Sequence, residues 1–228
     1  MENTEYEQPR LLPEPPLPRR LFKHVTTWGD TTTYMLSDND ISERIRTKRL
    51  TIEPFRHQQL NPASYDVRIG NLFRLPQFSY ELYIDLGNLN NQHEWTEIDA
   101  DNSGIYLPPL KMALATTIEK IGIPPDLAAK FEGKSTLGRL GLMTHVTAGF
   151  IDPGFGWQLA GDKPRPRELT IELFNASPNV LFIPPGIRIG QIAFSELLTP
   201  ANKPYYLKGH YANQAGPTPA NKEIDLLS

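Results

Sequence analysis

Cysteine is absent from all 228 residues, which excludes disulfide frameworks, thiolate zinc sites, cysteine nucleophiles and thiol redox chemistry together. The expected compartment is reducing. No run of eighteen apolar residues occurs, and the opening Met1-Glu-Asn-Thr-Glu5 lacks the basic and apolar regions of a signal peptide. A soluble, cytoplasmic protein is the expectation. A dominant charge is also missing: 23 basic against 26 acidic residues leave a formal net charge of −3. No stretch concentrates Lys and Arg as a sequence-independent nucleic-acid binder requires, so neither nucleic acid nor membrane is an expected partner. The histidines, His24, His57, His93, His145 and His210, show no HExxH or other ligand spacing, and the sequence offers no protein metal site.

Proline is abundant, at 22 residues about twice its usual share, and much of it separates short β-branched and aromatic runs. That pattern predicts an all-β barrel or sandwich. The runs are Tyr65–Ile69, Leu82–Leu86, Ala113–Ile118, Leu169–Phe174, Val180–Ile183 and Gln191–Phe194. One helix is expected early, capped by Ser37 with Asp40 three residues on and Ile41 and Ile45 on one face. A short helical turn is expected around Ser135–Leu140. Residues 1–33, with Pro9, Pro13, Pro15, Pro16 and Pro18, read as an extended arm that buries little apolar surface. A single domain follows over 34–204, and 205–228 read as a polar C-terminal arm that orders against something else.

Three clusters carry chemistry. Gly133-Lys-Ser-Thr-Leu-Gly-Arg139 sets two cations and two hydroxyls beside glycines, groups suited to phosphates. It is not a P-loop, because that motif needs glycine at position 128, which is alanine. Ala148-Gly-Phe-Ile-Asp-Pro-Gly-Phe155 puts a carboxylate, Asp152, immediately before a turn. In Thr170-Ile-Glu-Leu-Phe174 strand alternation turns Glu172 away from Ile171 and Leu173; in a shielded cleft its pKa would rise and it could shuttle protons. Each cluster has an ordinary structural reading: a capped turn, a plain turn, a solvated strand glutamate.

The order and spacing of the clusters resemble the dCTP deaminase and dUTPase superfamily. The resemblance runs from Met35 to Pro219. It is carried by Met35-Leu-Ser-Asp-Asn-Asp-Ile41, Pro62-Ala-Ser-Tyr-Asp-Val-Arg-Ile-Gly70, Gly133–Leu142, His145–Phe155, Thr170–Leu173, Pro185-Gly-Ile-Arg-Ile-Gly-Gln191 and Gln214-Ala-Gly-Pro-Thr-Pro219. It implies a distorted jelly-roll β-barrel of the dUTPase type with a short N-terminal helix, assembled as a homotrimer whose nucleotide sites are shared between subunits. It also implies deamination of dCTP without zinc, in keeping with the absence of a His-x-Glu and Pro-Cys-x-x-Cys pair.

Carried over by motif, Glu172 would be the general base toward the water attacking C4, Ser135 would bond that water or the leaving ammonia, and the Ala148 carbonyl would orient the water. Arg139 would lie beside Glu172 and balance developing charge. Lys134 and Thr136 would hold the triphosphate with its Mg²⁺, and Gln191, Tyr205, Tyr211 and Gln214 would complete the phosphate contacts as the arm closes. Ala148-Gly149-Phe150 resembles the bifunctional branch, which implies Asp152 at the water attacking the α-phosphate and release of dUMP and pyrophosphate. The resemblance further suggests inhibition by dTTP. Open alternatives are a single-function deaminase releasing dUTP, a dUTPase, or a trimeric nucleotide-sensing, partner-binding module. The departures are a longer link at 156–168, His210 where many members carry lysine, and the proline-rich arm.

Overall fold

The computed structural model describes residues 34–77, 83–90, 92–101, 103–158 and 164–222. The proline-rich arm, residues 78–82, residues 159–163 of the long link and the last six residues lie outside the described residues.

The chain enters through α1 (Asp38–Arg46), and its start is set by a reciprocal capping box. The Asp40 backbone N–H donates to Ser37 Oγ at 3.3 Å while the Ser37 N–H donates to the Asp40 carboxylate at 3.1 Å. Ile41 is fully buried and Ile45 packs beside it on the same face, as the spacing predicts. Arg44 then fastens the helix to the barrel through Asp126 at 2.9 Å and Glu196 at 2.6 Å.

The strands are β1 (Thr51–Glu53), β2 (Leu60–Asn61), β3 (Ser64–Pro76), β4 (Trp95–Asp99), β5 (Ile105–Leu107) and β6 (Met112–Gly122). After them come β7 (Leu127–Gly133), the short α2 (Ser135–Arg139), β8 (Leu142–Met143), β9 (Phe150–Ile151), β10 (Arg167–Asn175), β11 (Leu181–Ile183), β12 (Arg188–Glu196) and α3 (Tyr205–Lys208). Among the described residues all pairings are antiparallel, in the order β8-β10-β6-β3-β12-β7-β9, with β1 added on β6 and β2 and β4 on β3. β5 and β11 form a separate ribbon.

The sheet curls because β3 serves two neighbourhoods. Its first half, Tyr65–Arg68, pairs with β12, and its second half, Ile69–Arg74, pairs with β6 across a register shift between Ile69 and Phe73. The concave face collects Tyr65, Ile69 and Phe73 from β3, Ile121 from β6, Leu173 from β10 and Phe194 from β12, all fully buried. Each such side chain contributes about 1.5–3 kcal/mol by leaving water. The all-β fold with a short N-terminal helix is therefore as expected.

Two expectations fail locally. Tyr83–Leu86, the described part of one predicted strand, is not a strand: Gly87 N–H donates to the Asp85 side chain at 2.8 Å and Asn88 N–H to the Asp85 carbonyl at 3.0 Å, closing a turn over the apolar run. β7 was not expected, since Leu127-Ala-Ala-Lys carries little β-branching; it forms because it lies between β12 and β9 and buries Leu127, Ala129 and Phe131.

Candidate active site

β10 lies between β6 and β8 and alternates as predicted: Leu169, Ile171 and Leu173 are buried, while the half-buried Thr170 and Glu172 face a cavity of about 550 Å³ whose wall Leu169 also reaches. The cavity also receives Ala148, Asp152, Tyr205, Tyr211 and Gln214. Its apolar walls include Leu86, Trp95, Met112 and Leu114. Burial pushes the Glu172 carboxyl above the ordinary glutamate range; hydrogen bonds from the backbone amides of Val146 and Glu172 itself, and the nearby His145, act the other way. A carboxyl that is half-buried and easily protonated suits proton transfer.

Asp152 opens a tight turn in which Phe155 N–H donates to the Asp152 carbonyl at 3.1 Å. Gly154 takes φ +91°, the left-handed position of a type II turn, which glycine fills without strain. The turn is also a docking point. A Cβ on Gly154 would lie 2.6 Å from Pro204 Cβ, and Tyr205 N–H donates to the Pro153 carbonyl at 2.7 Å. The C-terminal arm thus returns to its own barrel. Tyr205 packs on Phe155 with ring centroids 5.8 Å apart, and its hydroxyl accepts from Tyr211 N–H at 3.2 Å. Burial raises the Tyr205 phenol pKa, and Asp152 adds to the rise. Farther along, Gln214 Nε2 donates to the Glu168 carbonyl at 2.9 Å, and Thr218 N–H donates to Thr170 Oγ1 at 3.3 Å.

The other expected residues form a second group. β7 ends at Gly133, and α2 exposes Ser135, Thr136 and Arg139. Lys134 Nζ donates to Asp66 Oδ1 at 2.7 Å, and Gln191 Oε1 accepts from the Ser64 hydroxyl at 3.1 Å. None of these five lines the cavity. Ser135, Arg139 and Lys134 therefore stand outside the cavity that Glu172, Asp152 and the arm line.

Three contributors escaped sequence reasoning. His145 sits edge-on to Phe131, its Nε2 3.9 Å from a Glu132 carboxylate oxygen, and its electrostatic influence reaches Glu172. Asp66 anchors Lys134; its place within the Pro62–Gly70 motif was the available signal. The apolar cavity wall comes partly from the turn at Leu86, which has no strand periodicity to betray it.

Residues 35–197 match the family model described as dCTP deaminase-like. The chain belongs to that family. Among its curated relatives is a protein of Mycolicibacterium smegmatis named "dCTP deaminase, dUMP-forming", 38% identical over 198 residues, spanning 85% of this chain and 98% of the relative. A relative of the same name from Dictyoglomus turgidum is 39% identical over 198 residues, spanning 84% of this chain and 96% of the relative. The fold is also that of a solved 2'-deoxycytidine 5'-triphosphate deaminase from Agrobacterium tumefaciens. That match has a TM-score of 0.53 at 22% identity over 73% of this chain, which spans about half, 49%, of the solved chain. The jelly-roll class expected of the family is thus the class observed.

Among the described residues no three His, Cys, Asp or Glu side chains are grouped to hold a metal ion. The donor set of these described residues does not fit a resident metal.

Proposed function

We infer that the protein hydrolyses dCTP to dUMP, ammonia and pyrophosphate. The observation that carries this is Glu172, a half-buried carboxyl of raised pKa facing a cavity that Asp152 and the tyrosines of the arm also line. Glu172 takes a proton from a water as the water oxygen bonds to C4 of the cytosine ring and the C4=N3 π bond opens, and it passes that proton to N3. The bond from C4 to the amino nitrogen then breaks as the C4 hydroxyl becomes the carbonyl, and Glu172 carries the hydroxyl proton to the departing amine, which leaves as ammonia. The Ala148 carbonyl, on the cavity wall, holds the water; Ser135 and Arg139 meet the amine and the developing charge.

A second water, positioned by Asp152, bonds to the α-phosphorus, and the bond to the bridging oxygen breaks to release pyrophosphate. Tyr205, Tyr211 and Gln214 exclude solvent around the triphosphate, while Lys134, Thr136 and Gln191 bind its oxygens. The α2 residues do not line the Glu172 cavity, so a complete site takes Glu172 from one subunit and Ser135 and Arg139 from its neighbour, in keeping with the homotrimer that the family resemblance implies. The names of the relatives, which specify dUMP, support this product over free dUTP.

The test is incubation of the purified protein with Mg²⁺ and, separately, dCTP, dUTP and dATP, with all products resolved over time. Consumption of dCTP with dUMP as end product is expected. Accumulation of dUTP would make it a single-function deaminase, turnover of dUTP alone a dUTPase, and binding without turnover a nucleotide-sensing module.

A further inference from the structure

The triphosphate-binding residues named so far leave the buried carboxylate of Asp66 without a role. Asp66, on β3, is 1% exposed, yet two cations and an amide converge on it. Lys134 Nζ donates to Oδ1 at 2.7 Å, Arg188 donates to Oδ2 at 3.3 Å, and Asn61 Nδ2 donates to Oδ1 at 2.7 Å. These partners come from the β7–α2 junction, the start of β12 and β2, so one side chain ties three segments together.

The charge count does not match a purely structural pair. One cation would neutralise Asp66, and buried ion pairs contribute little net stability over an apolar replacement. Two cations leave the cluster net positive, beside the hydroxyls of α2. Both are anchored on one side and open on the other: the Lys134 side chain is 28% exposed and that of Arg188 49% exposed. A second guanidinium nitrogen of Arg188 donates to the Gln58 carbonyl at 3.0 Å, which further fixes its plane. Gln191 stands opposite Asp66 in the β3–β12 register, so its carboxamide belongs to the same row. An anion arriving here meets donors whose geometry is already set, which lowers the ordering cost of binding.

We propose that Asp66 is a positioning residue for the phosphate half of the site and that Arg188 joins Lys134 as a direct ligand of a nucleoside triphosphate. This rests on the nucleotide reading above. Without the carboxylate the two cations repel and splay; with it they present a fixed pair of charges. Arg188 is suited to its role because its fork can bond two phosphate oxygens at once.

Calorimetric binding of inorganic tripolyphosphate to the full chain tests this without requiring any reaction. Asp66→Asn, which keeps the shape and removes the charge, is expected to weaken binding roughly tenfold or more. With dCTP, KM should rise far more than kcat falls, a split that general unfolding would not produce. In a Lys134→Gln, Arg188→Gln background, Asp66→Asn should add little, because its effect passes through those two side chains. Wild-type tripolyphosphate affinity in Asp66→Asn, or an undiminished loss in the double background, would overturn the proposal. Should Asp66→Asn fail to fold, Arg188→Gln carries the test: severalfold weaker tripolyphosphate binding is expected, and unchanged affinity refutes it. Failure of the dCTP reading would appear separately, as wild-type protein that binds tripolyphosphate but leaves dCTP intact.

Discussion

Replacing Glu172 by glutamine removes proton transfer while preserving shape and hydrogen-bonding capacity, so rate and stability should move in different directions. General acid–base catalysis by one positioned side chain is worth about 10²–10⁴-fold, and ammonia release from dCTP by Glu172→Gln should fall by that factor. Stability has the opposite sign. Burial raises the folded-state pKa of Glu172, so its contribution to stability is complete below the unfolded-state pKa and is lost as pH rises through the folded one. Above the folded-state pKa the ionised carboxylate is a liability that glutamine lacks. The variant should therefore melt no lower than wild type on the alkaline side of that pKa, and its relative stability should grow as pH rises from the acid side. The wild-type rate should fall on the acid side, at a pH above the ordinary carboxylate range, as the base becomes protonated. The assays are ammonia release across pH and thermal melts of both proteins. A variant that keeps full deamination, or one whose activity loss is matched by a large drop in melting temperature, would refute the assignment.

Gly154→Ala forces a Cβ into the left-handed region at φ +91° and against Pro204, so a loss of about 1–2 kcal/mol from backbone strain alone is expected in denaturant melts, together with a raised KM as the arm loosens. Ser37→Ala breaks the capping box far from the cavity; about 1 kcal/mol of stability should be lost, with kcat unchanged. Shared sites make a complementation test possible: Ser135→Ala and Glu172→Gln chains, each inactive alone, should on co-expression regain about a quarter of wild-type sites. Activity that stays at the single-variant level would exclude sharing.

Much of this is legible in the sequence. Ser37 and Asp40 announce a capping box because the interaction is local, and Thr170-Ile-Glu-Leu reveals the orientation of Glu172 because strand periodicity fixes faces. The Asp152-Pro-Gly turn is likewise written in backbone chemistry. What escaped depends on distant partners. Leu82–Leu86 has the composition of a strand, yet an aspartate-centred turn ends it, and β7 has weak propensity but a neighbour on each side. That Glu172 faces the cavity while Ser135 and Arg139 do not line it depends on tertiary packing, since α2 lies between β7 and β8 in the chain and Glu172 sits on β10, the partner of β8. Asp66 looks like any strand aspartate until Lys134, Arg188 and Asn61 arrive from elsewhere in the chain.

The most direct test is a single time course of dCTP with Mg²⁺ and the full chain, in which ammonia, pyrophosphate, dUTP and dUMP are quantified in the same samples. The expected result is one ammonia, one pyrophosphate and one dUMP for every dCTP consumed, without accumulation of free dUTP. dCTP that remains intact while the protein is folded and binds nucleotide would contradict the catalytic role given to Glu172 and its cavity.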